Sequence, residues 1–142
     1  MPEKRIVRKA QADLRSGKSP TTAAGEFVHE EIEHVRKGKH GARSTKQAIA
    51  IGLSKARRAG VPLPPPKKGS TSERTRQSAE RAYETGQGNR KPRAPSPRRG
   101  RAVERALKRE GRSAASSSAL SRQAKQAAQK RRTSAGKRRA SG

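Results

Sequence analysis

Three histidines and a run of glutamates are the residues of this 142-residue chain with the most obvious chemical potential. His29 and His34 stand five residues apart on a predicted helix, about 140° around its axis. A zinc pair on one helical face needs i,i+4 spacing instead. The chain has no cysteine, which excludes thiolate metal sites, disulfides and cysteine nucleophiles. A serine nucleophile would need a pocket that so few apolar residues do not form. We therefore predict no metal site, no cofactor and no enzymatic activity.

The segment from Lys37 to Lys46 combines two glycines, four basic residues, a histidine and two hydroxyls at a predicted helix N-terminus. Free backbone N–H groups and the helix dipole attract phosphate at such a place. The segment lacks the spacing of a Walker loop, so a nucleotide site is not expected. It predicts a contact to nucleic-acid phosphate. The alternative is a flexible turn whose cations stay in water.

The charge balance favours a polyanionic partner. The chain carries 37 basic and 11 acidic side chains, a net charge of +26. It has one Phe, one Tyr and no Trp, so it lacks the aromatic platforms on which RNA and single-strand modules stack bases. Binding should therefore depend on the phosphate backbone, with weak sequence preference. We predict double-stranded DNA as the partner. The alternatives are an RNA- or ribosome-associated factor and an adaptor that docks through its acidic second helix.

The predicted nucleic-acid contacts are basic or polar side chains of the loop, the third helix, the linker and the tail. They are Lys39, His40, Arg43, Ser44, Lys46, Arg57, Arg58, Lys67, Lys68, Arg98, Arg99, Arg101, Lys130, Arg131, Arg132, Lys137, Arg138 and Arg139.

Short helices must position these residues. Twelve of the fifteen Leu, Ile, Val and Phe residues lie in residues 1–63, which predicts a module of three helices over 1–61. The first helix spans about 3–15, and the second begins after Ser19-Pro20 and ends near Lys37. The third follows a capping box, Ser44-Thr-Lys-Gln47, and ends at Gly60.

Beyond the module the apolar residues become scarce and the charge rises. A Pro-rich linker is predicted over 62–71 and a helix over 72–85. Residues 86–142 hold 18 basic and 2 acidic side chains and three large aliphatic residues, which predicts a disordered basic tail with transient helices. The predicted fold class is mostly α, a small helical module with a largely disordered basic extension.

The third helix carries an Ala/Gly face. Gly52 in mid-helix costs about 1 kcal/mol against Ala, so we expect it where another backbone comes close. A 60-residue module is marginal by itself, and a homodimer through this face is one way to stabilise it.

The stretch from Gly25 to Gly41, continuing through Arg43-Ser-Thr-Lys-Gln-Ala-Ile-Ala-Ile-Gly-Leu-Ser-Lys-Ala-Arg-Arg to Val61, resembles an uncharacterised family of small, basic bacterial proteins. Some members of that family are labelled plasmid stabilisation or DNA-binding proteins. The resemblance covers roughly residues 1–85 and implies a bacterial, DNA-associated protein, with no catalytic residues to carry over. The tail is similar, in composition only, to that of histone H1-like bacterial proteins.

The sequence also predicts where the protein resides. No run approaches the roughly 18 apolar residues of a membrane span, and the N-terminus lacks the apolar stretch of a secretory signal. We expect a cytoplasmic, nucleoid-associated protein. In a eukaryote the basic clusters 130–132 and 137–139 would serve as nuclear import signals.

Overall fold

A computed structural model describes residues 4–91 and 96–140, with side chains through Thr133. Within these residues the fold is helical and contains no strand. No helix among them is long and apolar enough to cross a membrane. The elements are α1 (Lys4–Arg15), α2 (Pro20–Arg36), α3 (Thr45–Arg58), α4 (Glu73–Gly86), α5 (Pro97–Arg109), a 3₁₀ turn (Ser113–Ala115) and α6 (Ser117–Ala140).

The first three helices begin and end at the residues that the sequence indicated. The Ser19 hydroxyl accepts from the Thr22 N–H at 3.3 Å, and Pro20 occupies the first turn of α2. Ser44 caps α3 by accepting from the Gln47 N–H at 3.1 Å. At the ends of α2 and α3, Gly38 and Gly60 adopt φ of +76° and +102°, which L side chains rarely adopt. The three predicted helices of the module are confirmed.

Two apolar clusters form the core, and both depend on α2. The first joins α1, α2 and the C-terminal end of α3 around Phe27, whose side chain is fully buried. The second surrounds Ile32 and Val35 at the other end of α2. Alanine makes up much of both clusters, so the helices pack closely with few large side chains.

The helices α2 and α3 cross in close contact at Gly52. A Cβ at Gly52 would lie 2.6 Å from Val28 Cα and 2.9 Å from Val28 N, so only glycine fits there without a shift of backbone. This confirms the expected close backbone approach. The neighbouring Ala48 and Ala56 are fully buried in the same face. The surface suggested for a homodimer is therefore used inside the chain.

The region after residue 86 differs from the predicted disordered tail. It contains two α-helices, and the 3₁₀ turn between them inserts Ala114 and Ala115 into the second core cluster. The Thr45 hydroxyl donates to the Ala114 carbonyl at 2.6 Å, and Arg36 Nε donates to the Ala115 carbonyl at 2.9 Å. Composition did not reveal this because a two-alanine contact adds almost nothing to an apolar count.

The helix α5 fits the earlier expectation better. It has no buried residue, and Val103 is 59% exposed. Six of its thirteen residues are Lys or Arg, and it contains one Glu. It is therefore a solvated basic helix.

The Pro-rich linker and α4 lie against α3. Leu63 of the linker packs on the first core cluster, and Ala79 and Ala82 are the buried residues of α4. The predicted helix over 72–85 is found at Glu73–Gly86. Its cap is Ser72, whose hydroxyl accepts from the Thr75 N–H at 3.3 Å.

Candidate nucleic-acid interface

A groove of about 610 Å³ lies between α3, α4 and α6. Among the described residues, its lining includes four cationic side chains and no carboxylate. The cations come from three helices: Lys46 and Arg57 from α3, Arg74 from α4 and Lys130 from α6. Hydroxyl groups of Ser54, Thr71, Thr75 and Ser78 add hydrogen-bonding capacity. Such a lining suits an anion with many oxygen acceptors.

The packing of α3 explains how the groove forms. One face of α3 presses Gly52 and the neighbouring alanines onto α2, and this turns the opposite side of the helix outward. Lys46, Ala50 and Ser54 line the groove from that outward side, and the half-buried Ile49 and Leu53 line it from the boundary between the two faces. Gly86 fixes α4 beside α3, because a Cβ there would collide with the Arg57 carbonyl. The groove is thus a consequence of two close helix contacts.

Arg57 is buried, although it was predicted among the exposed contacts. Its Nε donates to the Leu63 carbonyl and its Nη2 to the Pro64 carbonyl, each at 3.2 Å. Burial lowers the pKa of the guanidinium from its ordinary value. Arg57 therefore connects the linker to α3 by hydrogen bonds, and its buried guanidinium adds a positive charge to the groove wall.

The loop between α2 and α3 is held more firmly than its glycines suggested. The Gly41 N–H donates to the Leu107 carbonyl at 2.8 Å, and the Ala42 N–H donates to the Gly111 carbonyl at 3.1 Å. The Arg43 N–H donates to Gln47 Oε1 at 2.6 Å. These N–H groups, predicted to be free for phosphate, are already paired inside the chain. A phosphate contact here would rely on side chains.

The other predicted contacts divide by exposure. His40 is half-buried. The side chains of Lys137, Arg138 and Arg139 lie outside the described residues. The remaining ones are exposed: Lys39, Arg43, Ser44, Lys46, Arg58, Lys67, Lys68, Arg98, Arg99, Arg101, Lys130, Arg131 and Arg132. Lys46 and Lys130 are brought together at the groove, where Arg74 is a further cation that the sequence analysis did not select.

A second constellation lies inside the module, where the glutamates of α2 meet α3 and the loop. The Glu31 carboxylate is fully buried and contacts Lys55 Nζ of α3. Its Oε2 lies 3.1 Å from His40 Nε2, and its Oε1 lies 3.6 Å from His34 Nδ1. The two imidazole rings meet edge to face with centroids 6.0 Å apart. Glu31, His34 and His40 are close enough for one atom of each to ligate a common ion.

The spacing of His29 and His34 along one helix gives no sign of this cluster. His29 is exposed. The partner of His34 is instead His40, which the turn at Gly38 brings back over α2. A usable signal was present: Glu31 and His34 have i,i+3 spacing, and a glycine-terminated helix end precedes the second histidine.

The remaining acids of α2 also find partners within the chain. Glu26 pairs with Lys9 of α1 at 3.1 Å, and Glu33 pairs with Arg36 at 3.3 Å. The first pair joins α2 to the basic helix α1, and the second is an i,i+3 pair within α2. The acidic residues of α2 thus mostly serve internal contacts.

Residues 15–68 match the sequence model of one protein family, described as a family of unknown function (DUF6496). The matched part runs from the end of α1 to the linker and includes Glu31, His34, His40 and Lys55. This agrees in part with the resemblance seen in the sequence, over a shorter range than 1–85. No curated protein matches the chain, and no solved structure matches it. One part of the chain is therefore similar to an uncharacterised family, and no known activity comes with that similarity.

Proposed function

We propose that this protein binds double-stranded DNA, largely without sequence preference, by neutralising the phosphate backbone. Its groove between α3, α4 and α6 would receive a backbone segment. The basic helices of the C-terminal extension would add most of the affinity through counterion release. The process served would be nucleoid association or plasmid maintenance.

The observation that carries this proposal is the lining of the groove. Four cationic side chains from three helices converge there, and none of the fourteen lining residues is acidic. In a chain where Asp and Glu are paired with nearby bases at many positions, an acid-free surface of this size favours an anionic ligand. The apolar residues Ile49 and Leu53 in the same lining suit the deoxyribose carbons between phosphates.

The charges elsewhere fit the same partner. Eleven acids cannot neutralise 37 bases, and α5 and the described part of α6 expose their Arg and Lys side chains almost throughout. A solvated basic helix without a buried face gains little from the protein itself. It gains more when phosphates replace the released counterions.

The adaptor alternative has less support. It needs accessible carboxylates on α2, but Glu30 and Glu31 are buried, and Glu26 and Glu33 contact Lys9 and Arg36. The RNA alternative shares the electrostatics of the DNA proposal, so a direct competition must separate the two.

The test is a salt titration of duplex affinity with charge-matched variants of the full chain. One variant carries Lys46→Ala, Arg74→Ala and Lys130→Ala in the groove. The control carries Arg5→Ala, Arg8→Ala and Arg15→Ala, three exposed side chains of α1. Both lose three charges, so net charge alone predicts equal effects.

We expect the groove variant to lose up to about 2.7 from the slope of log affinity against log salt, at roughly 0.9 per phosphate contact. The α1 control should change the slope little. Equal slopes for the two variants would overturn the groove as the contact surface. Displacement of the duplex by structured RNA at a lower concentration than by unlabelled duplex would favour the RNA alternative.

A further inference from the structure

We propose that Glu31, His34 and His40 form a binding site for one divalent transition-metal ion, with zinc the best fit. The site lies where α2, α3 and the loop meet, and it is separate from the groove. Its ligands, two imidazoles and a carboxylate, are a set that proteins use for zinc with solvent in the fourth position.

The spacing of the ligand atoms agrees with tetrahedral coordination. Metal–ligand bonds near 2.0–2.1 Å put neighbouring ligand atoms about 3.3 Å apart. His40 Nε2 lies 3.1 Å from Glu31 Oε2, whereas His34 Nδ1 lies 3.6 Å from the other carboxylate oxygen, Oε1, so the carboxylate must turn to present one oxygen to an ion that both rings bind. The three groups together keep their ligand atoms within 4.8 Å of one another. Small side-chain shifts would bring the three ligand atoms within bonding distance of one ion.

Each imidazole also has an acceptor at the nitrogen that points away from the site. His40 Nδ1 lies 2.9 Å from the Gly41 carbonyl, which accepts only if Nδ1 carries the proton. The Nε2 lone pair of neutral His40 then faces a Glu31 carboxylate oxygen, which is also an acceptor. The 3.1 Å contact between these two atoms therefore holds either a second proton on His40 or a metal ion, and the ion is the occupant that we propose.

His34 repeats this pattern with Glu30. Its Nε2 lies 3.5 Å from Glu30 Oε1, while its Nδ1 faces Glu31. Glu30 is only 6% exposed, and neither of its carboxylate oxygens has a hydrogen-bond partner among the residues that the structure describes. A metal-bound His34 would donate its Nε2–H to Glu30, the carboxylate–histidine–metal arrangement common around zinc. The ion thereby accounts for a buried carboxylate that is otherwise unsatisfied.

The local charge points the same way. Glu30 and Glu31 bring two buried negative charges, and Lys55 supplies one positive charge from α3. With neutral histidines the cluster keeps a net negative charge inside a chain of net charge +26. The surface repels divalent cations while this interior site attracts one, which disfavours adventitious binding elsewhere.

Calorimetric titration of the chelator-treated full chain with Zn²⁺ tests the site. We expect one equivalent bound, with affinity falling on the order of tenfold or more in His34→Gln and in His40→Gln. His29→Gln is the matched control, because His29 lies on the same helix but is exposed. Zn²⁺ should raise the melting temperature of the wild type and of the control, and leave that of His40→Gln unchanged.

Two further measurements keep the test decisive if a histidine variant folds poorly. Co²⁺ added to the wild type should give the strong visible absorption of a tetrahedral ion. Lys55→Met removes the ammonium that competes for Glu31, so it should strengthen Zn²⁺ binding.

Three outcomes would overturn the site. One is the absence of Zn²⁺ binding at micromolar concentration. Another is an equal loss of affinity in His29→Gln and His40→Gln, which would mean an adventitious ion only. The third is the weak visible absorption of octahedral Co²⁺. This result would mean that a second proton on His40, and not a metal ion, lies between His40 Nε2 and Glu31 Oε2.

Discussion

The two helices α2 and α5 show how differently this chain uses its apolar residues. Both are flanked by basic sequence, yet α2 buries Phe27, Ile32 and Val35, whereas Val103 of α5 stays exposed. The difference lies in their partners: the apolar residues of α2 meet two neighbouring helices, and α5 packs against no other helix in the part of the chain that the structure describes. A segment joins the core when its apolar residues meet a partner element, and its apolar content matters less.

The 3₁₀ turn extends this comparison. Its two alanines are smaller than Val103, but they are buried against the second core cluster and backed by two side-chain hydrogen bonds. The C-terminal extension is thus attached to the module at this turn and at the loop around Gly41. Its basic helices keep their charges directed to solvent.

The largest expected effect comes from removing the basic helix α6 while the packed module is kept. Truncation after Ser116 removes eight basic residues and no acid, while it keeps the docked 3₁₀ turn. Under the proposed function, the slope of log DNA affinity against log salt should become shallower by up to about 7, and affinity near physiological salt should fall by orders of magnitude. Fluorescence anisotropy with two unrelated duplexes measures both. An unchanged slope would mean that α6 does not touch the phosphate backbone.

Three Gly→Ala substitutions compare a close helix crossing with two open helix positions. Gly52→Ala should destabilise the fold by about 1–3 kcal/mol, because the new Cβ meets the Val28 backbone. Gly25→Ala and Gly100→Ala add a Cβ in open space, so each should favour its helix by roughly 0.5–1 kcal/mol. Chemical denaturation followed by circular dichroism ranks the three. Stabilisation by Gly52→Ala would contradict the close helix crossing.

A smaller change tests the attachment of the extension. Thr45→Val removes the hydroxyl that donates to the Ala114 carbonyl and should cost about 1 kcal/mol. Amide hydrogen exchange should show the loss chiefly around residues 113–120, with α1 protected as before. Thr21→Val, at an exposed position of α2, is the control and should leave exchange unaltered. Uniform loss of protection would show that the turn is an integral part of the core.

The smallest effect concerns acid stability of α4. The Arg76 guanidinium bonds to Glu73 and lowers the pKa of that carboxyl from its ordinary 4.5. A depressed pKa in the folded state adds stability above pH 4.5, and this stability is lost as the pH falls through the folded value. The sole tyrosine of the chain, Tyr83, lies in α4, so its fluorescence reports local unfolding. Glu73→Gln should flatten the pH dependence below 4.5; an unaltered profile would refute the pairing.

Local signals in the sequence predicted the module well. Ser19-Pro20, Ser44 and the glycines at helix ends act within one turn of chain, so their effect can be derived without tertiary structure. Gly52 was also predictable, because a costly glycine in mid-helix needs a packing reason.

What escaped prediction depends on distant parts of the chain. Two examples are the hydrogen bond from Arg36 to the Ala115 carbonyl and the contact of His40 with Glu31. They can be predicted only when the turn geometry and the helix crossing are known. Arg57 looked like an exposed cation because helical periodicity does not show that the linker carbonyls fold back over it. The predicted contacts mostly join residues that are near one another in the chain, and the missed contacts mostly join distant ones. The strength of the interaction mattered less.

The docking of the 3₁₀ turn also has a kinetic consequence. Its hydrogen bonds join residues 69 and 79 positions apart in the chain, whereas α1, α2 and α3 are neighbours in sequence. Closing so long a loop is slow compared with forming adjacent helices, and during synthesis the turn leaves the ribosome only after the whole module. The module therefore folds first and the second core cluster is completed last. A nascent chain passes through a stage in which Ile32 and Val35 lack their alanine cover, and its basic arm becomes available for binding only after the module has emerged.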